Sequence, residues 1–168
     1  MRFNKLLFIL TTLGVLVVTS DSATVAATAT ANLNINATVG ANCTISTIAV
    51  AFPTYDPVVT HASTPDDSTA GSVTVTCTKG SGTSIALGYG GNPLPASQPR
   101  MKDSGTNFLN YMLYSESTRT TAWSGASLAI AAAPDKNPRV FTVYGRIAAA
   151  QDVPAGSYTD TVVATINF

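Results

Sequence analysis

Two cysteines, Cys43 and Cys77, and a single histidine, His61, are the residues best suited to covalent or metal chemistry in this chain. Structural zinc needs Cys or His ligands in closely spaced pairs, and His61 has no partner at that spacing. In an oxidising compartment the two cysteines pair by default. A bridge closing a loop of that length stabilises a fold by about 3–4 kcal/mol in the chain-entropy account. Nucleophilic catalysis fares no better: no G-x-S-x-G elbow is present, and His61 sits in a stretch of Pro, Asp, Ser and Thr. Asp66-Asp67 lacks the spacing of a calcium loop and reads as a solvated turn. Asn36-Ala37-Thr38 and Asn42-Cys43-Thr44 are formal glycosylation sequons, read as coincidence in an Asn/Thr-rich stretch. Trp123 reads as core or rim packing. The sequence therefore predicts no catalytic residue, no cofactor and no metal site.

The first residues have the layout of a secretory leader. Arg2 and Lys5 precede an apolar run, Leu6 to Val18, and then a small-residue stretch, Thr19 to Ala27. That run is short for a membrane span, although an N-terminal anchor is the alternative reading. Val25-Ala26-Ala27 suits the peptidase, so residues 1–27 are expected to be a signal peptide; a cut after Ala29 is a second option. Its removal leaves seven Lys/Arg against eight Asp/Glu, a net charge of −1. Such a balance excludes the basic field that nucleic acid requires. No later segment is apolar enough to span a bilayer, and the mature length suits one domain. The expected route is export through the periplasm to the cell surface.

The cysteines must then be positioned by strands, because strand patterns recur and helix patterns are scarce. Leu33, Ile35, Ala37 and Val39 alternate with polar residues at period two. Further strands are predicted over 43–52, 73–78, 85–89, 108–114 and 140–147, with a short one inside 115–122. Residues 54–71 read as a long loop or poorly paired edge. Residues 126–133 fit either a strand or a short helical turn. The last strand is predicted over 158–168, with Tyr158, Val162, Ala164 and Ile166 on one face. Tyr158 after Gly156 resembles a tyrosine corner, whose hydroxyl satisfies a nearby backbone group. Short strands separated by Gly/Pro turns imply an all-β sandwich or barrel.

An immunoglobulin-like sandwich needs about seven strands. If the last strand is the sixth in that order, one edge is missing. The gap would expose an apolar groove and unpaired backbone groups, which a strand from another molecule can fill. Residues 28–40 are the candidate donor, with Leu33, Ile35, Ala37 and Val39 entering the neighbour. On periodicity alone, the same strand could equally complete its own sandwich, giving a self-complemented secreted coat or carbohydrate-binding module.

Three stretches resemble a known family. Val143-Tyr144-Gly145-Arg146-Ile147 with Gln151 to Val162 is similar to the end of spore coat U domain proteins, which include the Csu-type major pilins of archaic chaperone–usher pili. Leu109 to Tyr114 followed by Trp123 resembles the family's central aromatic strand, and Cys43 and Cys77 match its cysteine pair. One departure is Phe52-Pro53, where the family often carries Phe-Gly. The resemblance implies an incomplete, six-strand immunoglobulin-like subunit over residues 41–168, with 28–40 as donor. It implies a periplasmic chaperone that anchors Ile166 to Phe168, an outer-membrane usher, and identical or related pilin subunits as partners. The implied role is a structural pilus subunit supporting attachment and biofilm, not an enzyme.

Overall fold

A computed structural model of the chain describes residues 25–94 and 98–168. The expected leader lies, up to residue 24, outside the described residues. The chain divides into two units, Met1–Ala37 and Thr38–Phe168. In the first, the described residues form neither strand nor helix, so the period-two stretch 33–39 is not itself a strand here. A strand exists only by pairing, whatever its side-chain pattern.

The second unit is all-β among the described residues. Its strands are β1 (Cys43–Ile48), β2 (Asp66–Cys77), β3 (Ser84–Leu87), β4 (Arg100–Lys102), β5 (Phe108–Tyr114), β6 (Ser127–Ala129), β7 (Arg139–Ile147) and β8 (Ala164–Asn167). They form a five-stranded sheet, β1-β2-β7-β5-β4, and a three-stranded sheet, β6-β3-β8. All the strand pairs are antiparallel. Six strands have four residues or more; β4 and β6 are three-residue strands. This is the incomplete immunoglobulin-like sandwich that the sequence leads one to expect.

Alternation places the core between the sheets. Val73, Val75, Ile85, Leu109, Tyr111, Leu113, Val143 and Ile147 are all buried. Trp123 joins the two layers: its amide donates to the Leu113 carbonyl at 2.7 Å, and its indole nitrogen donates to the Ile85 carbonyl at 3.0 Å. The buried indole thus has the partner that its polar atom requires. The Cys43–Cys77 disulfide staples β1 to β2 at one end of the sandwich.

Several sequence expectations need correction: β1 ends at Ile48, short of residue 52, and 115–122 holds no strand, only the Tyr114↔Ala122 bridge. Residues 54–71 are not all loop, because β2 begins at Asp66 and pairs with β7 from Asp66↔Ile147 onward. Asp66-Asp67 is accordingly strand, not a solvated turn. Asp66 is buried, while Asp67 accepts a bidentate pair from Arg146 at 2.7 and 2.9 Å. A charge pair at the strand's start replaces the apolar alternation by which a strand is recognised in sequence. The last strand is shorter than 158–168, since only 164–167 pair with β3. Residues 126–133 resolve as the short strand β6.

Cys77→Ser removes the staple and puts a hydroxyl at a buried position. Its urea midpoint is expected to fall by an amount worth about 3–4 kcal/mol under oxidising conditions. Equal midpoints for both proteins, with and without reductant, would show that the bridge contributes nothing.

Candidate functional site

The feature that stands out is a gap between two sheet edges. β1 is one edge of the larger sheet and β8 one edge of the smaller. At the disulfide end, β1 and β8 come within 8 Å of each other. At the opposite end they part, because the chain before β8 turns to the far side of the sandwich. There Lys102 and Thr159 exchange backbone hydrogen bonds of 2.9 and 3.0 Å. The parting opens a groove with a cavity of about 360 Å³, walled by Thr47–Val50 and Phe52 on one side and Tyr158–Val162 on the other. Leu87, Tyr111, Leu113 and Val143 form its apolar floor. A second cavity, about 730 Å³, continues it between residues 50–58 and 153–158, sharing Val50, Phe52, Met101 and Tyr158.

Small residues and one polar lock hold this shape. A side chain at Gly145 would begin 2.5 Å from the ring of Phe52 and 2.8 Å from Val50, so only glycine lets both residues lie across the sheet. Asp160 accepts from the Tyr111 hydroxyl at 2.7 Å and from the Gly91 amide at 2.8 Å. Gly90 has φ +86°, and any Cβ there would collide with the Asp160 carboxylate. Burial, with Asp160 beside it, pushes the Tyr111 phenol well up, so it stays protonated and donates. Sequence reading missed this lock, because nothing in the spacing of Gly90, Tyr111 and Asp160 marks them as neighbours.

The residues singled out from sequence fall into three places. Leu33, Ile35 and Val39 are 86%, 86% and 82% exposed, and Ala37 is exposed with them. Ile166 packs against the core opposite Ile85, while Phe168 at the strand's end is 57% exposed. Tyr158 lines the groove, its hydroxyl donating to the Pro154 carbonyl at 2.9 Å, and Gly156 lies in the turn between them. Trp123 is core.

His61 has a structural part at the groove's open end. It is buried, stacks on Tyr55 with ring centres 4.9 Å apart, and its Nδ1 accepts from the Asp56 amide at 2.9 Å. The Tyr55 hydroxyl donates to the Ala148 carbonyl at 2.9 Å, tying the two loops that frame this end. Among the described residues, no cluster of three His, Cys, Asp or Glu could hold a metal.

A profile of the Spore Coat Protein U domain matches residues 29–165. Protein U of Myxococcus xanthus is similar, 42% identical over 157 residues, covering 85% of this chain and 87% of that protein. The structure of the CsuC–CsuE chaperone–tip adhesion subunit pre-assembly complex, from archaic chaperone–usher Csu pili of Acinetobacter baumannii, contains a chain of similar fold. The TM-score is 0.58 at 25% identity, covering 78% of this chain and 40% of that one. The chain thus spans less than half the length of that solved relative.

Asp66 supplies a pH test of the open end. Burial raises its carboxyl above the usual range; His61 pulls it down, and Asp67 adds a smaller upward push. A raised acid costs folding stability while ionised, and the cost disappears below the ordinary value of 3.8. Asp66→Asn should therefore melt higher than the parent at pH 7, and the two should converge below pH 3.8 in thermal scans.

Proposed function

The chain belongs to the Spore Coat Protein U domain family, and on that premise we propose that it is a structural subunit of an extracellular fibre, polymerised by donor-strand exchange. The observation that carries the reading is the match between the open groove and the leading strand. The groove offers apolar floor and unpaired sheet edges together; residues 28–40 offer alternating apolar side chains and an unpaired backbone. Burying Leu33, Ile35 and Val39 from such exposure contributes roughly 1.5–3 kcal/mol each, and main-chain pairing adds to it.

The exit of that strand favours a neighbour as acceptor. Asn42 accepts from the Thr78 amide at 2.8 Å and its own amide donates to the Thr78 hydroxyl at 3.2 Å. That hydroxyl donates to the Gly40 carbonyl at 3.3 Å. These bonds continue the Cys43↔Cys77 register in a line past the disulfide. Folding back into the chain's own groove would break them. It would also run the strand parallel to β8 and antiparallel to β1, whereas a neighbour's strand can enter the other way round, antiparallel to β8 and parallel to β1.

The partners on this reading are identical or related subunits, a periplasmic chaperone that shields the groove and anchors Ile166 and Phe168, and an outer-membrane usher. Residues 1–27 serve export and are removed near Ala27. Surface attachment and biofilm formation are the biological role, and no catalytic residue is assigned.

The test is electrophoresis of surface extract in detergent without boiling. A ladder that collapses on heating is expected, since the polymer is non-covalent and kinetically trapped. Leu33→Asp and Ile35→Asp should each abolish the ladder and leave the chaperone complex intact. Normal polymers from both variants would refute the donor assignment.

A further inference from the structure

The end of the sandwich opposite the disulfide carries a small apolar tip, Pro57-Val58-Val59. Val58 and Val59 are 80% and 77% exposed, which single surface residues often are, but here they are adjacent and braced. The Asp56 carboxylate accepts from the amides of Val58, Val59 and Thr60 at 2.9, 3.2 and 3.5 Å. The Tyr55–His61 stack and the Ala150 amide on the His61 carbonyl, 2.9 Å, fix the loop behind it.

Where this tip meets another copy follows from strand polarity, and so rests on the donor-exchange reading. β8 runs towards the disulfide end, because Leu87↔Ala164 and Ser84↔Asn167 pair it against β3. A donor antiparallel to β8 therefore puts Val39 at the acceptor's open end, beside the cavity that Val58 lines. Only Gly40, Ala41 and Asn42 separate Val39 from Cys43, a reach of about 14 Å when extended. The donor's own disulfide end is thus drawn against the acceptor's tip. Loops 78–82 and 131–138 form that disulfide end, joined by the Gly80 amide on the Ala133 carbonyl and the Ala133 amide on the Ser81 carbonyl, both 2.8 Å.

The charges of the two ends are complementary. Loops 53–65 and 148–157 contain Asp56 and Asp152 and no Lys or Arg. The disulfide end exposes Lys79 and Lys136 against Asp135 alone. We propose that the Pro57–Val59 tip is a second subunit–subunit contact, seated on the disulfide end of the copy whose strand fills the adjoining groove. It adds a second brace to a joint whose linker is otherwise tied only through Thr78.

The experiment uses the full chain, exported and assembled with its secretion partners. Val58→Cys and Lys136→Cys are combined, both sites being exposed, and fibres are treated with a short bismaleimide. Boiled, denaturing electrophoresis should show a covalent ladder for the double variant. Neither single variant should give one, nor should Val58→Cys with Thr142→Cys, which places the second thiol mid-sheet. Polymers that survive unboiled but boil to monomer would overturn the contact and leave donor exchange standing. Cross-linking by Val58→Cys alone, or equally with Thr142→Cys, would overturn it in favour of tip-to-tip or lateral association. Failure of the parent chain to form polymers would remove both the contact and the reading beneath it.

Discussion

Two sheet edges that ought to share a strand diverge in this protein, and the rest of the structure is arranged around the space between them. The Lys102–Thr159 pairing draws the chain before β8 away from β1. That exchange of hydrogen bonds leaves the largely buried Leu113, Tyr111 and Val143 as the floor of a cavity with no strand laid over it. It also leaves backbone donors and acceptors facing the same space. A small apolar ligand could cover the floor but would leave the main-chain groups unpaired, which is costly once water is excluded. A β-strand satisfies both demands at once. The chemistry of the site therefore selects the kind of occupant before any particular sequence is considered.

The frame that keeps the gap open is rigid at the places where it could collapse. Trp123 bonds to both layers, so they cannot slide to close the space. The disulfide holds β1 on β2, and the Asp160–Tyr111 lock holds the opposite wall. Gly145 lets Phe52 and Val50 lie flat across the larger sheet instead of standing up into the groove. Towards the disulfide, by contrast, β1 and β8 have already drawn near each other. An entering strand meets an open mouth at one end and a seam to be parted at the other.

Much of this was legible in the sequence, for physical reasons that differ between elements. Val73-Val75-Cys77 and Leu109-Tyr111-Leu113 alternate because each strand has one face on the core, so their period is plain. The disulfide was legible from compartment chemistry. Residues 33–39 show the same period without forming a strand, since periodicity records a surface suited to burial, not whether a partner is present. The start of β2 was illegible, because Asp67 and Ser68 hold their places through Arg146, Arg119 and the Ala51 carbonyl instead of apolar contact. The groove walls were illegible for a further reason: Val50 and Thr159–Val162 are far apart in sequence and meet only through the topology. Residues 158–163 kept the expected alternation, with Val162 inward and Val163 outward, yet the shift of partner from β3 to β4 cannot be read from alternation.

A chain this poor in charge, with open sheet edges, is a candidate for unspecific aggregation. What separates ordered growth from that outcome is stoichiometry. Each copy presents one groove and one strand, joined through Gly40-Ala41-Asn42 and held in line by Thr78. A contact between two different surfaces of identical subunits is heterologous, and unless its rotation closes a ring it propagates as an open fibre. Thr78 ties Gly40 and Asn42 in line past the disulfide, and on the donor-exchange reading completion by a neighbour keeps these hydrogen bonds. On that reading the hydroxyl of the half-buried Thr78 favours growth in a single direction over closure of the chain on itself.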